Sequence, residues 1–550
     1  MMACDPTALM TSVCLIAGVI AGGGAAAASP APPGGGCADL LTFYKDFRAF
    51  QKPTVADGVP DYTPAAMAAQ QKELETYKKR LAAIDPGAWH IPEQVDYHVV
   101  RAEVNGLDFD HRVLRPWANN PGFYVTFFPE ESDQPKREGP FAEGAVEIWS
   151  CTLPLSKEAA ARIGAGVRTI PALLAQAKTN LTGSGRDLWI YGAKSVRQQS
   201  ADLAAFAAKL DASHGPLKAD LDRAKKATDD FADWLEAQAV SRTGPSGVGI
   251  ENYNWYLRNV QLVPYTWADE VGFMKRELGR STALLAMEEI RNAKLPAQAV
   301  VASAAEYDRR FNDAVTEYMA FLADNEILTI KPWMDGALRE RIGSYRPGPR
   351  EFFGEIDYRD PEVMRTHGYH WFDKGWMVHE TSHNPIRRDV RLYNLDNTRT
   401  EGNATGWEEL MMQAGMFDAR PRSRELVYIL IAQRAARALG DLFMVANLMD
   451  LEQASAFACA NVPRGWLSLE GRLVRGEQHL YIQQPGYGTS YLMGKREIDA
   501  LIADRKQQLG DTFRMQDFMD TFNGVGLIPA SLVRWEMTGK KSPELETMLK

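Results

Sequence analysis

Apolar residues recur at three- and four-residue steps through most of this chain, the spacing of an amphipathic helix. Residues 65–84 are rich in Ala, Gln, Glu, Lys and Leu and stop at Asp85-Pro86-Gly87, a helix closed by a breaker. The pattern returns over 95–107, ahead of Arg115-Pro116-Trp117. Residues 157–180, 187–210 and 217–240 read as three long helices whose apolar stripes suit a bundle scaffold. After the Gly/Pro/Ser break at 243–249, helical periodicity resumes over 251–261, 268–292 and 297–322. Further helices are predicted over 405–417, 424–448 and 491–509, with a turn at Pro485-Gly486-Tyr487-Gly488. No repeat of fixed period occurs.

One stretch departs from this pattern. Within 347–360, Glu351 to Tyr358 alternate in part, which predicts a short strand. The expected fold is therefore mainly α: a large helical structure with a short strand or small sheet beside one key helix, and a deep cleft. A strand edge there could pair with an extended peptide. The chain divides into an N-terminal segment 1–28, a Pro/Gly linker 29–38, a helical region 39–245 and a second helical region 246–550.

Composition narrows the class. The chain has 550 residues, 45% of them hydrophobic and 24% charged, enough for a large core. The net charge of −9 and the absence of long Lys/Arg runs argue against nucleic acid as a partner. Residues 8–28 are small and apolar and end in Ala26-Ala27-Ala28 before Ser29-Pro30, which fits a cleaved export signal and a periplasmic or secreted protein. The start carries Asp5 and no basic residue, unlike most such signals. No later stretch is long and apolar enough to span a bilayer. Cys4 and Cys14 would leave with the signal; Cys37, Cys151 and Cys459 allow one disulfide without fixing which.

The candidate chemistry centres on His379-Glu380-Thr381-Ser382-His383, a His-Glu-x-x-His pattern in a chain with nine histidines. On a helix, residues four apart share a face, so His379 and His383 could hold zinc while Glu380 polarises a bound water. Pro385 should end that helix just past His383. A third ligand is needed, and Glu408 or Glu409 on a second helix could supply it. The other reading of these two acids is a solvated helix N-terminus.

Several stretches resemble the bacterial family called domain of unknown function 885, grouped with zincin-like metallopeptidases. They are Val248-Gly249-Ile250-Glu251-Asn252-Tyr253, Arg434-Ala435-Ala436-Arg437 with Asp441, Gln484 to Gly494, and Phe513 to Pro529. Weaker likeness before Ser246 includes Asp96-Tyr97 and Arg115-Pro116-Trp117. The family's Pro-Gly-His is here His383-Asn384-Pro385, and its Glu-Gly-Trp is Thr405-Gly406-Trp407. Its histidines near the end are replaced by Val445 and Met519. The run from Glu401 to Glu409 is similar to the third-ligand segment of angiotensin-converting-enzyme-like dipeptidases. That likeness implies Glu409 as zinc ligand, with Glu408 as the alternate and Gln413 at the position of the aspartate that accepts a ring N–H from a ligand histidine in those enzymes. The family's Pro-Gly stretch implies Tyr491, and next Tyr487, as the oxyanion donor.

Together these readings imply an exported zinc metallopeptidase that trims short peptides. Zinc on His379, His383 and Glu409 would lower the pKa of its water toward ~7, and Glu380 would carry the proton to the leaving amine. Arg434 and Arg437 are expected to pair with Asp441 in the interior. The rival readings are a zinc hydrolase of a non-peptide amide or ester, and a non-catalytic periplasmic peptide-binding protein.

Overall fold

The computed structural model describes residues 36–549. The expected export signal, most of the linker, and Cys4 and Cys14 lie outside the described residues. Within them the chain is helical nearly throughout, with two small pairs of strands. Val55–Ala56 pairs antiparallel with Val59–Pro60, and Phe127–Phe128 pairs parallel with Val146–Glu147. No described helix is long and apolar enough to cross a membrane.

The long amphipathic segments form the helices their spacing predicts: Pro64–Ala82, Ile91–Phe109, Lys157–Asn180, Arg186–Lys209 and Gly215–Ala239. Local chemistry sets their ends. Ser156 caps the third of them by accepting from the Ala159 amide, and Thr266 and Asp269 form a reciprocal capping box at the start of Trp267–Arg291. The helix expected from 297 begins instead at Ala304, where Ser303 supplies the cap.

Residues 351–358 depart from the strand prediction. Phe352–Asp357 is a helix, and its two buried apolar residues, Phe352 and Ile356, stand four apart, a helical spacing read as alternation. The small sheet lies elsewhere in the chain: Phe127–Phe128 and Val146–Glu147 bracket the loop that reaches the site described below.

Two apolar cores organise the molecule. One joins Leu40 to Leu107 with Tyr253 to Met548; the other draws on Tyr62 to Leu235. Inside the first, Asn397–Gln413 and Tyr487–Leu509 pack with backbones almost touching. A Cβ on Gly402 would lie 2.4 Å from the Gly494 Cα, and one on Gly494 would lie 2.1 Å from the Thr398 carbonyl oxygen. Asn397–Gln413 is buried over most of its surface, so each polar side chain it carries needs a partner. Cys37, Cys151 and Cys459 are each unpaired.

Candidate metal centre

The Pro361–His367 helix starts with Pro361 behind an Asp360 cap and ends at Gly368, where Tyr369–His379 begins at once. The joint is tight: a Cβ on Gly368 would sit 2.9 Å from Leu338 Cδ2 and 2.9 Å from the Arg365 carbonyl oxygen. His367 therefore closes one helix and His370 opens the next. Their rings lie 5.0 Å apart at 81°.

The loop between Phe128 and Val146 brings a third donor. Donor atoms of Asp133, His367 and His370 all lie within 4.8 Å of one another, and among the described residues this is the group of three or more His, Cys, Asp and Glu donors that converges. The loop is pinned at several points. Lys374 donates to Glu131 and to the Ser132 carbonyl. Ser132 Oγ donates to Glu138 at 2.7 Å, and the Gly139 amide donates to Gln484 at 2.6 Å.

The buried Asn397–Gln413 helix supplies Glu401 and Glu408, two turns apart on one face. Glu401 Oε2 lies 3.2 Å from His370 Nε2, yet neither atom closes a hydrogen bond. Its other oxygen accepts from Tyr487 and from Gln134 Nε2. Gln134 also lies 3.2 Å from His370 Nδ1 and accepts from Thr400 Oγ1 at 2.8 Å. Glu408 Oε1 stands 3.0 Å from His367 Nδ1. Arg434 holds both Glu408 oxygens, at 2.7 and 3.0 Å.

Charge balance follows from this geometry. Burial works against the His370 cation, but Asp133 and Glu401 outweigh it and raise the imidazole to about 9. Burial likewise works against ionised Glu401, and His370 overrides it, leaving the carboxyl at about 2. Glu138 goes the other way: burial first and Asp133 second raise it to about 7.

The His-Glu-x-x-His expectation is corrected. The helix stops at His379, and Glu380 already has non-helical dihedrals. Thr381 Oγ1 donates to the Met377 and Val378 carbonyls, and Asn384 caps the short Pro385–Arg388 helix. The second histidine thus falls in a bend between helices. His379, Glu380 and His383 are all exposed. The His379 ring stacks on Trp333 at 5.3 Å, and Glu380 pairs with Lys331 at 3.3 Å.

Of the two acids weighed as third ligand, Glu409 turns away, one helical step of ~100° from Glu408. It forms a bidentate pair with Arg280, both contacts at 2.9 Å, and meets Lys495 at 3.1 Å. Glu408 does reach the histidine cluster, through His367. Tyr487 is there too, on Glu401, and Tyr491 lies edge-on to it at 5.9 Å. Arg434 and Arg437 do not pair with Asp441, because Glu408 and Glu477 stand across from them as nearer partners. Both Asp441 carboxylate oxygens lack a hydrogen-bond partner.

Sequence reasoning missed Asp133, Gln134, Glu138, His367 and His370, and took Glu401 only as the start of a similar segment. The available signal was His367-Gly368-Tyr369-His370: two histidines three apart, with a glycine between them.

Solved structures share the fold. A protein described as a lipoprotein of unknown function from Shewanella oneidensis matches with a TM-score of 0.66 and 17% identity, over 92% of this chain and 100% of its own. A protein described as a lipoprotein from Colwellia psychrerythraea matches with a TM-score of 0.63 and 14% identity, over 93% and 98%. No curated protein matches the chain. The model of a bacterial protein family of unknown function, DUF885, matches residues 48–370 and 368–537, and the chain belongs to that family.

Proposed function

We propose that this chain is an exported metal-dependent hydrolase of short peptides, with its metal held among Asp133, His367, His370 and Glu401, three of them serving as ligands so that a tetrahedral zinc keeps one position for water. The observation that carries this reading is the meeting of His370 Nε2 and Glu401 Oε2 at 3.2 Å, buried and without a hydrogen bond. Two ligands on one tetrahedral zinc, each ~2.1 Å from it, stand ~3.4 Å apart. The nitrogen and oxygen donors suit zinc better than a hard cation. With His367 Nδ1 beside Glu408, its Nε2 is the nitrogen free to bind.

Zinc bound there would supply Lewis acidity, lowering the pKa of a water toward ~7. The chain's own residues do the rest. Glu138, whose carboxyl is raised by burial and accepts from Ser132 Oγ, is the chain's candidate to take a proton and return it to a leaving amine. Tyr487 fixes the Glu401 carboxylate. Tyr491, whose hydroxyl is engaged by no described residue, is the donor for a developing oxyanion.

The test is release of free amine from a dipeptide library by purified protein before and after chelation. Zinc should restore the chelated activity, and His370→Ala and Glu401→Gln should abolish it. Hydrolysis indifferent to chelation and to both substitutions would overturn the reading.

A further inference from the structure

We propose that the cavity beside this cluster is a binding pocket for a zwitterion with an apolar side chain: a short peptide whose ammonium meets Asp110 and whose carboxylate meets Lys136. Its role as substrate pocket rests on the hydrolase reading above; its ligand chemistry is argued from the cavity itself.

The cavity gives the centres of water-sized molecules about 120 Å³ of room and opens to solvent. Tyr62, Met67, Trp117, Phe123, Phe141 and Leu392 wall it. Asp110 and Lys136 face this apolar space, with Glu143 as a second carboxylate on the lining. Lys136 feels the charge of Glu143 first and that of Asp110 more weakly, and Asp110 feels Lys136, yet neither the Asp110 carboxylate nor the Lys136 ammonium closes a hydrogen bond or ion pair with a described residue. Burial raises Asp110 to about 7 and lowers Lys136. Opposite charges held apart in an apolar chamber are costly unless a ligand of matching charges joins them.

The backbone around the cavity is held in unusual conformations. Asp110 opens a π-helical turn, Asp110–Leu114, that ends in left-handed Arg115. Tyr393 and Asn394, which also line the space, have φ of 57° and 45°. Such strain persists where surrounding packing imposes it, and it clusters at ligand sites. Here Gly106 lets the Tyr393 ring lie against the helix; a Cβ at that position would fall 2.2 Å from the ring.

The cavity and the histidine cluster share two segments. Lys136 is three residues past Asp133, a reach of at most ~11 Å between Cα atoms. Gln484, on the cavity wall, precedes Tyr487 by the same number.

The experiment is calorimetric titration of chelator-treated full chain with L-Phe-L-Phe, its N-acetyl derivative and its C-terminal amide. The free dipeptide should bind at least tenfold tighter than either capped form. Lys136→Met should erase the preference for the free carboxylate alone, and Asp110→Asn that for the free amine alone. Equal affinity for all three probes in the unsubstituted protein would overturn the proposal, whether or not the variants fold. Variants that keep both preferences would also overturn it. No metal is present in this titration, so a failure of hydrolysis leaves its result standing.

Discussion

His370 and Glu401 face one another at 3.2 Å from two different helices, both side chains almost fully buried. A charged pair this deep forfeits hydration that its own attraction only partly restores. What surrounds it is equally polar: Gln134, Thr400, Tyr487 and the Glu408–Arg434 pair are all buried. A cluster of this kind is weak support for stability and stronger support for chemistry.

The Glu408–Arg434 pair should behave as the foundation of the site. Its side chains are 0% and 1% exposed. Arg434→Met leaves Glu408 charged and without its partner, so stability should fall by about 3–5 kcal/mol in denaturant unfolding. A loss below about 1 kcal/mol would mean that the pair is not held in the interior as described.

The Gly402–Gly494 crossing sets the distance between Glu401 and Tyr487. Gly402→Ala puts a methyl group where the Gly494 backbone stands, which should destabilise by at least about 1–3 kcal/mol. It should also weaken metal binding by moving Glu401. Unchanged melting and metal affinity would refute the close packing of these helices.

Tyr487→Phe removes the hydroxyl that donates to Glu401 Oε1. Loss of an outer hydrogen bond to a ligand typically costs ~10–100-fold in metal affinity. Competition against a zinc indicator should show a drop in that range with the fold intact by circular dichroism. Complete loss of binding would instead make the tyrosine a ligand.

Acid should act on His479, buried beside Tyr191 with an Nε2 that has no hydrogen-bond partner. Burial lowers its pKa to about 3, against an unfolded value near ~6.5. The folded pKa is depressed, so the unfolded chain takes up the proton first as pH falls below 6.5, and stability is lost down to the folded value near 3. Between pH 7 and 5 this group should cost about 2 kcal/mol. His479→Phe should narrow the difference in unfolding free energy between those pH values by that amount; an unaltered difference would show that the imidazole is protonated in the folded state.

The scaffold was largely legible in the residue pattern because helices such as Lys157–Asn180 carry their period, caps and breakers locally. The error at 351–358 has the same origin: two buried residues four apart fit either period over so short a stretch. The site was legible only in part. His379-x-x-x-His383 satisfies a local rule, but Thr381 and Asn384 end the helix between the two rings, and exposure leaves both in solvent. The observed donors come from a loop, two abutting helices and a central helix. Only tertiary packing brings Asp133 to His370, and no spacing in the chain encodes that meeting. Glu408 was found through the need for a third ligand, and Tyr487 through a resemblance, which carries such long-range information.

The most direct test is metal content by mass spectrometry after zinc loading and dialysis. It compares unsubstituted protein, His370→Ala, Glu401→Gln and the double variant His379→Ala/His383→Ala. The account predicts one equivalent of zinc in the first and last, and loss in His370→Ala and Glu401→Gln. Zinc lost from the double variant and kept by His370→Ala and Glu401→Gln would contradict it and return the metal to the His-Glu-x-x-His segment.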